Sequence, residues 1–171
     1  VQTCALPILR VGSIIKNSKF TLTGTDKIEN PPSMGVYIHI PFCIKKCRYC
    51  DFFSLPLRDE SYLDKYTQAL INEIKVRGQK MPAVQLESIY LGGGTPSLLN
   101  GRQLKSILQT VTNEFALLPG AEVSLEANPA TLDEVKLAEL EEAGINRISL
   151  GVQSFFDDEL TLLGRIHNSR A

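Results

Sequence analysis

The sequence predicts an α/β protein built on a parallel sheet, and three observations carry that expectation. Apolar strand-like segments recur four times between residues 36 and 152, segments of helical spacing separate them, and each strand runs into glycine, cysteine or polar residues. Strands alternating with helices of roughly 10 to 20 residues require crossover connections, which set successive strands parallel in one sheet.

Each element has its own signal. Val36, Ile38 and Ile40 alternate with Tyr37 and His39 as a first strand, which Pro41 ends. From 59 to 77, Tyr62, Leu63, Tyr66, Ala69, Leu70 and Ile74 recur at helical spacing, and Gly78 stands where a stop is expected. Leu86 to Leu91 reads as a second strand running into Gly92-Gly93-Gly94. Asn100 and Gln103 predict a reciprocal cap for a second helix, with Leu104, Ile107, Leu108, Val111 and Phe115 on its apolar face. Val123 and Leu125 mark a third strand. Thr131 to Glu134 predicts another capping box before a helix carrying Leu132, Val135 and Leu140, which Gly144 closes. Ile148, Leu150 and Val152 form a fourth strand, and Asp157 to Leu163 starts a further helical turn.

Composition narrows the function classes. The chain is 43% hydrophobic and 22% charged, with net charge -1 and no apolar run long enough to span a bilayer, so a cytoplasmic protein is expected. Neither Lys45, Lys46 and Arg48 nor Arg165 with His167 is large enough to track a phosphate backbone, so no nucleic-acid partner is expected. Residues 1–33 lack periodicity and read as a non-native or disordered leader. Within it residues 1–8, VQTCALPI, resemble a translated sequencing adapter, which makes Met34 the expected start and Cys4 an artefact. The folded domain is expected over residues 34–171.

Cys43, Cys47 and Cys50 stand at CxxxCxxC spacing within eight residues. Three thiols so close leave one over in any disulfide pairing, and they are expected to share one metal centre. Two centres fit. Structural zinc needs a fourth ligand, for which His39 is the near candidate; a 4Fe-4S cluster on three thiolates leaves one iron without a protein ligand. The other strands end at Gly92-Gly93-Gly94-Thr95-Pro96, at Glu126-Ala127-Asn128-Pro129 and at Gln153-Ser154-Phe155. Strand C-termini form the edge at which α/β sheets bind ligands.

With its flanks YIHIPFC and YCDF, and with GGGTP, LEANP, GVQSF and LGRIH following in order, the chain resembles the radical S-adenosylmethionine (SAM) superfamily. The resemblance implies the N-terminal part of a partial, TIM-like (β/α) barrel, about four βα units, truncated at the C-terminus. The strand around Ile148 is then expected to lack its downstream partner. It also implies a 4Fe-4S cluster on Cys43, Cys47 and Cys50, whose open iron binds SAM and cleaves it to a 5′-deoxyadenosyl radical.

The positions matching the family's SAM contacts are Gly93, Gly94, Thr95, Glu126, Gln153 and Arg165, with Tyr37 and Tyr49 as aromatics beside the cluster. Glycine suits such a loop because a backbone without Cβ can pass close to a ligand. His39 is read as supporting the site and not as a ligand, and no residue is assigned a catalytic role. Within the family, Phe52 stands where oxygen-independent coproporphyrinogen III oxidases carry a further cysteine, so the chain is similar to the HemW, or haem chaperone, branch. That branch implies haem or porphyrin as a ligand, respiratory haem proteins as acceptors, and an electron donor. The alternatives are a coproporphyrinogen III oxidase of porphyrin biosynthesis and a zinc-stapled α/β domain.

Overall fold

The computed structural model describes residues 9–12, 33–81 and 84–171. A short strand β1 (Leu9–Gly12) lies antiparallel along β2 (Ser33–Ile40), with Leu9 opposite Ile38 and Gly12 opposite Gly35. The sequence reading expects no strand there. Its pairing is explained by the free N–H and C=O groups on that side of β2. Residues 1–8, with Cys4, lie outside the described residues.

After β2 come two strands of two residues each, β3 (Phe42–Cys43) and β4 (Leu55–Pro56), which bracket the cysteine loop. Helix α1 (Ser61–Lys80), β5 (Gln85–Gly93), α2 (Gly101–Glu114), β6 (Ala116–Ala127), α3 (Glu134–Ala143), β7 (Arg147–Leu150) and α4 (Asp157–Leu163) follow. The sheet order is β1-β2-β5-β6-β7, and the last four strands are mutually parallel. Each new strand is added on the same side as the one before. That progression is how a (β/α) barrel winds, whereas a doubly wound sheet reverses direction once.

The period of two in each strand separates two chemistries. On the helix side, Ile38 stands beside Leu91, and Leu91 beside Leu125, all fully buried. They pack in one cluster with Leu70 and Ile74 of α1, Leu104, Ile107 and Val111 of α2, and Leu140 of α3. Burying each such side chain contributes about 1.5–3 kcal/mol. The opposite face carries Tyr37 beside Tyr90 and Tyr90 beside Ser124, a polar and aromatic surface that leads toward the cysteine loop.

Where the structure departs from the sequence reading, each departure has its own physical reason. Gly78 does not stop α1; it lies within the helix, where a Cβ would come 2.6 Å from the Cβ of Glu114, so its role is close helix packing. The box predicted from Thr131 to Glu134 does not form. Asp133 caps α3 instead, accepting from the Lys136 N–H, while Thr131 Oγ1 donates to the Asn128 carbonyl. The Asn100–Gln103 box does form, with both bonds at 2.9 Å. Strand β7 ends at Leu150, before Val152. Among the described residues nothing pairs with the other side of β7, and Ile148 and Leu150 are 37% and 47% exposed.

Candidate functional site

Local hydrogen bonds shape the cysteine loop. Leu55 N–H donates to the Pro41 carbonyl and Leu57 N–H to the Cys43 carbonyl, both at 2.7 Å, closing the loop at its base. Cys43 is therefore buried while Cys47 and Cys50 stand half-exposed, and all three are free thiols. Far along the chain, Arg48 N–H donates to the Leu163 carbonyl at 3.1 Å and anchors the loop to the end of α4.

A cleft of about 290 Å³ opens at the C-terminal edge of the sheet. The cysteine loop contributes Cys43, Cys47, Tyr49 and Cys50; the turn after β5 contributes Gly93, Gly94 and Thr95; and Glu126, Gln153 and Arg165 come from the ends of β6, β7 and α4. One cleft thus gathers every candidate residue except Tyr37. Tyr37 sits lower on the concave face, where its hydroxyl meets His39 Nδ1 at 2.9 Å and its ring stacks on Tyr90.

His39 Nε2 lies 2.9 Å from the Phe53 carbonyl and must donate to it, so Nδ1 is the acceptor for the Tyr37 hydroxyl. Both ring nitrogens thus have partners within the protein.

The three glycines are needed by the protein's own packing. Gly93 has φ +115, and a Cβ there would lie 2.6 Å from the His39 ring. A Cβ on Gly94 would meet the Phe42 carbonyl oxygen at 2.5 Å. A side chain at Gly93 would therefore meet His39 before it met any ligand-facing group.

Glu126 is held at both oxygens, by the Tyr90 hydroxyl at 2.6 Å and by the Gly93 N–H at 2.9 Å. Gln153 is the one non-glycine described at positive φ, +68, in a three-residue turn closed by Ser154 N–H on the Val152 carbonyl. Such a backbone costs about 1–3 kcal/mol and persists only when its surroundings impose it. Arg165 lies just past α4, beyond Gly164. Its Nη2 donates to the Gly151 carbonyl at 2.6 Å and its Nη1 approaches Cys47 Sγ and Tyr49 Oη at 3.4 Å. Burial pushes the Tyr49 phenol above its ordinary value, outweighing the Arg165 charge.

Sequence reasoning missed Tyr90, Ser54 and His167. Tyr90 reads as one more alternating strand residue, Ser54 carries no motif, and His167, although it closes LGRIH, is given no role there. His167 Nε2 donates to the Val152 carbonyl at 3.0 Å, fixing the residue before Gln153, while its Nδ1 is buried without a partner. Burial lowers its pKa below 6.5, with the nearby Arg165 adding to the effect. The unfolded chain therefore takes up the proton first. Stability is expected to fall as pH drops below about 6.5, and urea unfolding of His167→Gln should lose that component of the pH dependence.

Among the described residues no three metal-ligating side chains are already gathered around one point. The donors nevertheless fit a thiolate-held cluster with a polar ligand beside it. Three free thiols line one cleft, and Ser54 Oγ and Arg165 Nε in the same cleft are buried without hydrogen-bond partners.

A parallel sheet wound in strand order, with a three-thiol loop and an arginine and a carboxylate at its C-terminal edge, defines a barrel-type cofactor-binding protein. The chain belongs to the radical SAM superfamily, which it matches over residues 37–171. Membership implies a 4Fe-4S cluster and SAM. Curated relatives include the heme chaperone HemW of Escherichia coli strain K12, 43% identical over 136 residues, which cover 80% of this chain and 36% of that protein. HemW of Mycobacterium tuberculosis strain H37Rv is 37% identical over 157 residues, covering 91% and 40%. Among solved structures, the coproporphyrinogen III oxidase HemN from Escherichia coli superposes with a TM-score of 0.75 at 32% identity, covering 81% of this chain and 32% of that one. The chain thus spans 36 to 40% of the length of these HemW proteins.

Proposed function

We propose that the chain carries the cluster- and SAM-binding part of a cytoplasmic haem chaperone of the HemW type. The observation that carries the proposal is the convergence of Cys43, Cys47 and Cys50 with Glu126, Gln153 and Arg165 in one cleft. When bound, the cluster and SAM supply one-electron chemistry. The residues around them bind and orient: the three thiolates hold iron, Glu126 accepts from the ammonium of SAM, Arg165 pairs with its carboxylate, and Gln153 exchanges hydrogen bonds with ribose hydroxyls.

The HemW branch is supported by similarity to proteins of that name and by Phe52, which lines the cleft as an exposed aromatic where an oxidase would offer a thiol. Haem is then the cargo, respiratory haem proteins the acceptors, and a separate protein the electron donor. Among the described residues no helix is long and apolar enough to cross a membrane. Likeness to a coproporphyrinogen III oxidase structure supports the second reading, oxidative decarboxylation of coproporphyrinogen III.

The test uses full-length protein reconstituted anaerobically with iron and sulfide. Cluster absorption, SAM binding by calorimetry, haem binding by titration and no turnover of coproporphyrinogen III are expected. Turnover without haem binding would instead select the oxidase reading. Metal content limited to zinc would sink both.

A further inference from the structure

We propose that Tyr90 is a positioning residue, whose hydroxyl holds the Glu126 carboxylate so that its free lone pairs face a primary ammonium group in the cleft. The inference rests on the SAM reading above and deepens it by naming what orients the contact to the ligand's amino end.

Tyr90 stands on the concave face of β5, its ring 5.9 Å from that of Tyr37. On another side it packs on Gly92, where a Cβ would come 2.7 Å from Tyr90 Cε1. The ring is confined, so the hydroxyl has a fixed place. It donates to Glu126 Oε1 at 2.6 Å, and the Gly93 N–H donates to Oε2 at 2.9 Å. Donors on different oxygens fix the plane of the carboxylate as well as its position.

An ionised carboxylate offers about four acceptor sites, so two bonds leave about two for a ligand. A primary ammonium is the matching donor, because it is cationic and carries three N–H bonds. Without the phenol, the Gly93 bond alone leaves the terminal torsion of Glu126, which is intrinsically broad, free to turn. Arg165, Lys45 and Lys46 line the same cleft as competing cations. Burial and the bond to Glu126 also push the Tyr90 phenol well above its ordinary value, so the donor proton stays in place across the working pH range.

Tyr90→Phe tests this, because it keeps the ring and its stacking and removes one oxygen. In the full-length protein reconstituted with iron and sulfide, calorimetry is expected to give about tenfold weaker SAM binding, because the ordering of Glu126 that the phenol supplies beforehand must then be met on binding. Iron per chain should be unchanged, and the melting temperature should fall by no more than a few degrees, the amount that one lost hydrogen bond costs. Binding of 5′-methylthioadenosine, which lacks the amino-acid moiety, should stay within about twofold, and on a Glu126→Gln background the effect of Tyr90→Phe on SAM should shrink to that range.

Unchanged SAM affinity in Tyr90→Phe, or equal losses for both ligands, would overturn the positioning role while leaving the SAM site standing. A wild-type protein that holds its cluster and binds no SAM would overturn the SAM reading and the Tyr90 role with it.

Discussion

Alanine at Cys47 is expected to reduce bound iron to background after anaerobic reconstitution. A 4Fe-4S cluster held by three thiolates already has one iron without a protein ligand, so losing a second protein ligand leaves too few bonds to retain it. Neighbouring groups cannot substitute. His39 has both ring nitrogens engaged, and Tyr49 offers a phenol, which gives up its proton less readily than a thiol. Cys43→Ala and Cys50→Ala should behave alike, whereas Cys4→Ala should keep full iron. Iron and sulfide per chain, read beside the cluster absorption, check this. Full iron in Cys47→Ala would remove the basis for a three-thiolate cluster.

Valine at Gly93 is expected to be the most damaging substitution for the fold around the site. With φ at +115, a β-branched side chain is strained whatever space it finds, and here its Cβ would meet the His39 ring at 2.6 Å. Backbone strain and overpacking together should cost about 2–5 kcal/mol. The damage would spread to Glu126, which accepts from the Gly93 N–H, and to the Phe53 carbonyl, which His39 holds. SAM binding should therefore be lost together with stability, measured as a lower urea midpoint, and with part of the cluster content. A normal midpoint with only SAM affinity reduced would mean that the glycine clears a path for the ligand and not for His39.

Much of this was legible in the residues themselves. Alternation at Val36, Ile38 and Ile40 sets strand and buried face together, because side chains in a strand point to opposite sides in turn. The Asn100–Gln103 cap could be read because both partners lie three residues apart. Cys43, Cys47 and Cys50 were legible as one centre because their donors are close along the chain. Less of it could be read where the partner is remote. Gly78 resembles a helix stop until α2 is brought against it, since only then does Glu114 occupy the space beside it.

By itself, then, the sequence determined the strand and helix rhythm, the cysteine loop and the coincidence of polar residues with strand ends, because each rests on short-range spacing. Tertiary structure alone decided how those residues face one another. Tyr90 and Glu126 are 36 positions apart and meet only because β5 and β6 lie parallel and adjacent. Arg165 reaches Cys47 across 118 positions, and His167 braces the turn that strains Gln153. The physical reason is that a hydrogen bond acts within about 3 Å, and which groups come that close depends on the sheet's register and not on their order in the chain.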